Sequence, residues 1–197
     1  MTTCGIPAPP GRCKPSASVA HDSLAALVRL FVRHNRREAA NEMSFFRTMP
    51  SFELALHHAA YAIDQRNKRF GHQCRITRAA LEKSAALIGA ASAKLKTCAS
   101  FEQLHELLKN EVGSVAGIGE LYLYDTALRL GAFLDLSPNN VYMHAGTRVG
   151  ARALGLDVSR DAIPFKEFPP VLQSLSASEL EDFLCIYKTR LAPTADR

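Results

Sequence analysis

Apolar positions along the chain recur at three- and four-residue intervals, the spacing that lines one face of an α-helix. Leu24, Leu27, Val28 and Phe31 make the first such stripe, and the periodicity predicts a helix from about Asp22 to Met43. Arg29, Arg33, Arg36 and Arg37 share another face of it. A second helix starts near Pro50, a residue suited to a first helical turn, with Phe52, Leu56, Ala59 and Ile63 inward. A third, capped by Thr77, carries Leu81, Ala85 and Ile88 and runs to about Lys96. Ser100 and Gln103 form a capping box ahead of Phe101, Leu104, Leu108 and Val112. Leu121, Tyr124, Leu128, Leu130 and Phe133 continue the next helix to about Leu134, and Pro138 breaks the pattern. Thr147 to Leu154 is a short helix ended by Gly155. Ser176 with Glu179 is a second capping box, opening a last helix lined by Leu180, Phe183, Leu184, Tyr187 and Leu191. No stretch alternates as a half-buried strand does. The pattern predicts an all-α protein, a compact orthogonal helical domain of about seven or eight helices over residues 19–192. A Pro/Ser/Gly-rich lead-in at 1–18 reads as a flexible tail.

Composition changes this picture little. The chain has 197 residues, enough for one substantial core. No apolar run reaches the length of a membrane span, and the N-terminal stretch lacks the apolar centre of a secretory signal. Cys4, Cys13, Cys74, Cys98 and Cys185 are odd in number, widely spaced and without a CxxC pair, which argues against a disulfide framework or a zinc finger. A reducing cytoplasm is the expected setting. No motif calls for a cofactor or metal, and the adjacent His57 and His58 point to different sides of a helix.

Charge is uneven. Residues 1–100 hold 15 Lys/Arg and 6 Asp/Glu, and residues 101–197 hold 9 and 13, so a surplus of +9 and a deficit of −4 sum to the net +5. A basic first half suits a polyanion-facing surface, and it also suits plain solubility. The densest part is "KRFGHQCRITR", where Lys68, Arg69 and Arg75 are candidate phosphate contacts. Phe70 in that loop either stacks on an exposed base or tucks into the core.

One short stretch carries more chemistry than the rest. In "SVAGIGELYLYDTALRLG", Gly117 and Gly119 bracket Ile118 just before a helix. A glycine-bracketed turn at a helix N-terminus can aim free N–H groups at an anion, although Gly117 can equally be a helix-terminating residue and Gly119 a tight corner. Val115, Gly117, Ile118 and Gly119, set between two amphipathic helices at about 100–134, resemble the helix-hairpin-helix motif of DNA-binding proteins. The order that follows, a helix ending "LRLGAFLDL" and then "SPNNVYMHAGTRVGARALG", is similar in layout to the helix-hairpin-helix DNA glycosylase superfamily of base-excision repair. The resemblance implies DNA as partner, held through its phosphate backbone by Gly117, Ile118 and Gly119, and glycosylase or lyase chemistry. The superfamily's lysine nucleophile would fall where this chain has Glu120, Leu121 and Tyr122, and its aspartate near Asn140, Tyr142 and His144. Asp125 is the carboxylate left for catalysis.

Tyr122, Asp125 and Arg129 are spaced to share a helix face, so Asp125 and Arg129 are either a solvated ion pair or a displaced catalytic site. His144 and Arg148, in a turn rich in small residues, are candidate nucleic-acid contacts or structural residues. The competing expectation is a non-enzymatic helical protein whose basic face meets an acidic partner.

Overall fold

A computed structural model describes residues 17–191. The expected tail at 1–18 lies outside the described residues except for its last two, which already belong to a helix. The described chain is mostly helical, with helices α1 (Ala17–His34), α2 (Arg36–Arg47), α3 (Phe52–Ala60), α4 (Arg78–Ala90), α5 (Ser92–Leu95), α6 (Phe101–Val112), α7 (Glu120–Leu134), α8 (Ala145–Ala153) and α9 (Ala177–Leu191). Strands β1 (Asn140–Tyr142) and β2 (Ala162–Pro164) pair antiparallel, with Val141 opposite Ile163. Cys4 and Cys13 fall outside the description, and Cys74, Cys98 and Cys185 are free thiols.

Two apolar clusters organise the molecule. The first gathers Phe46, Phe52, Leu81, Ile88, Leu104, Leu108 and Leu130 from α2, α3, α4, α6 and α7. The second gathers Leu27, Phe31, Val141, Ile163, Leu180, Phe183 and Leu184 from α1, the strand pair and α9. This division explains two departures from the sequence pattern. The helix expected over 22–43 turns at Asn35, because α1 packs on α9 in the second cluster while α2 packs on α7 in the first. The strand pair, which the pattern did not predict, runs between the clusters. Val141 and Met143 point into one and Tyr142 into the other, the period-2 alternation of a strand buried on both faces.

Helix α7 is the hub of the first cluster. Tyr122, Leu123, Tyr124, Thr126, Ala127, Arg129 and Leu130 are all buried, so its sides are covered nearly all round. The Tyr122 hydroxyl donates to the Ala60 carbonyl at the end of α3 (2.7 Å). The capping boxes form: Ser100 Oγ accepts from the Gln103 amide, and Gln103 Oε1 reaches back to the Ala99 amide. Ser176 and Glu179 cap each other reciprocally at the start of α9. Thr77 caps α4 by accepting from the Ala80 amide.

Helices α8 and α9 cross closely because α8 presents Gly146 and Gly150 to its partner. A Cβ at Gly150 would run into the Leu184 carbonyl oxygen, and one at Gly146 into Cys185 Sγ. The small residues of "HAGTRVG" therefore admit another helix rather than a ligand.

Candidate functional site

The connection between α6 and α7 is a tight turn. The Val115 amide donates to the Val112 carbonyl and the Ile118 amide to the Val115 carbonyl, each at 3.0 Å. Val115 is buried and Ile118 packs on the first cluster, which anchors the turn from below. Gly117 adopts φ +88°, a conformation that favours glycine. Gly119 is the N-cap of α7 in an extended conformation, and no side chain caps the helix. The first backbone bond of α7 runs from the Leu123 amide to the Gly119 carbonyl, so the Glu120 and Leu121 amides ahead of it have no acceptor among the described residues. Ala116, Gly117 and Gly119 are exposed around them. The amide of Ile118 itself is engaged; the free donors belong to the first turn of α7.

The basic segment lies along the same helix. A Cβ at Gly117 would stand 3.7 Å from the Ala80 Cβ, so the first turn of α4 touches the turn that opens α7. Further along, His72 reaches Asp125 on α7. The segment 72–80 thus flanks the N-terminal half of α7. Asp64 folds the preceding loop by accepting from the Arg66 and Lys68 amides (2.8 and 2.9 Å) and from the Arg66 guanidinium. Lys68 and Arg75 are exposed and make no ion pair among the described residues. Arg69 is turned inward, donating to the Ile76 carbonyl (3.0 Å), and acts as a brace of the loop. Arg78 pairs with Glu82 on the exposed side of α4.

Behind this segment sits a buried chain of charges. Arg129, 1% exposed, donates to Glu42 of α2 (2.9 Å) and to Gln73 Oε1 (3.1 Å), and lies 3.8 Å from Asp125. Its guanidinium stacks on the Phe70 ring at 3.9 Å, which fixes Phe70 against the protein rather than free for a base. Asp125 accepts from Gln73 Nε2 (2.6 Å) and from His72 Nε2 (2.8 Å). The face carrying Tyr122, Asp125 and Arg129 is therefore interior, not a solvated ion-pair face. Asp125 is directed at the 70–73 loop, and its oxygen is occupied. Asp182 of α9 completes the polar layer. Burial, together with the nearby carboxylates of Glu181, Asp125 and Glu42, pushes its acid up to about 8.

His144 and Arg148 also turn inward. His144, 5% exposed, caps α8 by accepting from the Gly146 amide at Nδ1 (3.3 Å), which leaves the proton on Nε2 to donate to Glu181. The Thr147 hydroxyl contacts the same Nε2 (2.7 Å) and donates to the same Glu181 oxygen (2.8 Å). Thr147 is wholly buried, and threonine and glutamate meet one ring nitrogen, so this trio is a tie between α8 and α9 and no nucleophile relay. Arg148 donates to the Val158 and Arg160 carbonyls (2.7 and 2.9 Å) and to Glu120 (2.6 Å). It holds Glu120 at the start of α7. The geometry takes His144 off the surface and leaves Arg148 partly exposed, with its guanidinium engaged by three acceptors.

A cleft of about 50 Å³ opens on the other side of α7, lined among others by His105, Lys109, Tyr124, Tyr142, His144 and Asp161. A volume of that size holds a few water molecules. The Tyr124 hydroxyl is buried with no partner among the described residues, and burial beside Glu181 and Asp182 raises its proton affinity well above the usual phenol value. Lys109 pairs with Asp161 at the rim (2.8 Å). Among the described residues no group of three His, Cys, Asp or Glu side chains is placed to hold a metal ion, and no helix is long and apolar enough to cross a membrane.

Comparison with protein-family models, with curated proteins and with solved structures produced no match. Chemically, the arrangement offers an exposed pair of uncapped amides, a cation-bearing segment beside them, and a histidine backed by buried charges. The partners in this network were not legible in the sequence: Asp125 lies 53 residues from His72, and Glu42 lies 87 from Arg129.

Proposed function

We propose that this protein binds the phosphate backbone of nucleic acid, DNA foremost, with the Val115–Gly119 turn working as a helix-hairpin-helix. The observation that carries the proposal is the pair of first-turn amides of α7, at Glu120 and Leu121, that have no acceptor among the described residues beside the exposed Gly117 and Gly119. Ala80, in the first turn of α4, lies near Gly117, and the loop that leads into α4 bears the exposed Lys68 and Arg75, so positive charge and the positive end of α7 are available to one anion-binding surface. Amides without side-chain caps contact phosphates without reading bases, so the expected binding is indifferent to sequence. The protein acts as a binder rather than a glycosylase. Asp125, the carboxylate that the likeness to the glycosylases leaves for chemistry, has its Oδ2 engaged by His72 and Gln73 with Arg129 behind it.

The test is a binding titration of the full chain with a short duplex at about 50 and about 200 mM salt. Contact with about four phosphates gives a log–log slope near −3.6 and a loss of roughly a hundredfold across that range. The Gly119→Val variant separates the turn from general charge. A Cβ there meets nothing within 4 Å and the backbone is extended, so the fold is retained while the side chain covers the first amides of α7. At least tenfold weaker binding with an unchanged circular-dichroism spectrum is the expected result. Salt-insensitive binding, or equal binding by the variant, overturns the proposal.

A further inference from the structure

Surface histidines are ordinarily free, yet His72 is backed by four other groups in a fixed order. Its ring is about half exposed (48% of the side chain) while Nε2 is fixed at 2.8 Å from Asp125 Oδ2. Asp125 is held by Gln73, and behind it stand Arg129 and Glu42. The groups facing His72 from packed elements are thus Asp125 and Arg129 of α7 and Glu42 of α2, with Asp182 of α9 beyond Asp125. On its own segment the neighbours are Lys68, Arg69 and Arg75. With Nε2 given to Asp125, Nδ1 is the nitrogen left to gain a proton and to face solvent. Protonated, the chain His72, Asp125, Arg129 and Glu42 sums to zero charge. Deprotonated, it carries one negative charge in the middle of the cationic segment.

We propose that His72 is a phosphate-contacting residue, donating from Nδ1 to a phosphodiester oxygen, with Asp125 and Arg129 as its positioning residues, so that binding a nucleic-acid backbone takes up a proton. This rests on the backbone-binding function proposed above. The hydrogen bond to Asp125 raises the proton affinity of His72 above the usual imidazole value, which favours the cation that a phosphate would bind. The sign follows. Affinity is greatest at low pH, where the donor is present and the local charge is zero. It falls as pH rises through the His72 midpoint, where a donor is lost and a negative charge appears.

The experiment compares wild type with His72→Gln, whose amide keeps a donor for Asp125 but cannot titrate. Duplex affinity is measured at about pH 6 and about pH 8.5, and the His72 ring is followed by NMR with and without duplex. Expected are a roughly tenfold loss of wild-type affinity across that range, a variant that changes less than about twofold, and a His72 midpoint about one pH unit higher in the complex. The last two numbers are linked, since a tenfold affinity ratio is one unit of midpoint. Equal pH dependence in both proteins, or an unmoved midpoint, overturns this proposal while leaving the hairpin standing. Absence of duplex binding at either pH overturns both.

Discussion

Arg129 is the residue whose loss should be felt most. It is 1% exposed and contacts Glu42, Gln73, Asp125 and the face of Phe70. Arg129→Met keeps much of the volume and removes the charge. Glu42 then loses its counter-ion and Asp125 keeps only His72, in places largely screened from water, with side chains 27% and 13% exposed, and Asp182 stands close by. Breaking a buried pair by deleting one partner costs about 3–5 kcal/mol. The partial exposure of Glu42 reduces that, and the lost stacking on Phe70, about 1–2 kcal/mol, restores it. The net expectation is about 3–5 kcal/mol, or a fall in Tm of roughly 8–15 °C for a chain of this size. Urea and thermal melts at neutral pH measure it. A loss under about 1 kcal/mol would refute the buried-network account.

Asp182→Asn should stabilise the protein, increasingly so with pH. The folded-state acid is raised to about 8 from an unfolded value of about 4, so the folded chain holds a proton that the unfolded chain has lost, and stability declines across that window. Allowing for partial contact with water, the gain is about 2–3 kcal/mol above pH 8 and nil near pH 4, read from urea melts across pH; a variant equal to wild type at high pH would contradict it. Gly150→Ala places a methyl against the Leu184 carbonyl and should cost about 2–4 kcal/mol by separating α8 from α9, seen as a lower midpoint of unfolding. An unchanged midpoint would mean that the crossing is looser than described.

The helices were legible because their determinants are local. Thr77, Ser100 and Ser176 each lie within three residues of the amide they cap, and the stripe of Leu104, Leu108 and Val112 needs no partner to declare a buried face. The strand pair was not legible, because three residues are too few to display alternation and β1 is apolar on both faces. The polar layer was hidden for a different reason. Arg129, His144 and Arg148 carry the residue types of a surface contact, and what turns them inward is a set of partners at Glu42, Glu181 and Glu120, far away in the chain. Local pattern therefore overestimates the ligand-facing charge of a helical protein whenever two apolar clusters meet across a polar seam, since the seam draws on the same residues that a binding surface would use. Discounting Arg69, Arg129, His144 and Arg148 on that ground leaves Lys68, Arg75 and His72 on the segment that leads into α4 and meets α7 at Asp125. That is a smaller surface than the sequence suggests, and the proposed function requires its charges and the free amides of α7 to reach phosphates of one backbone together.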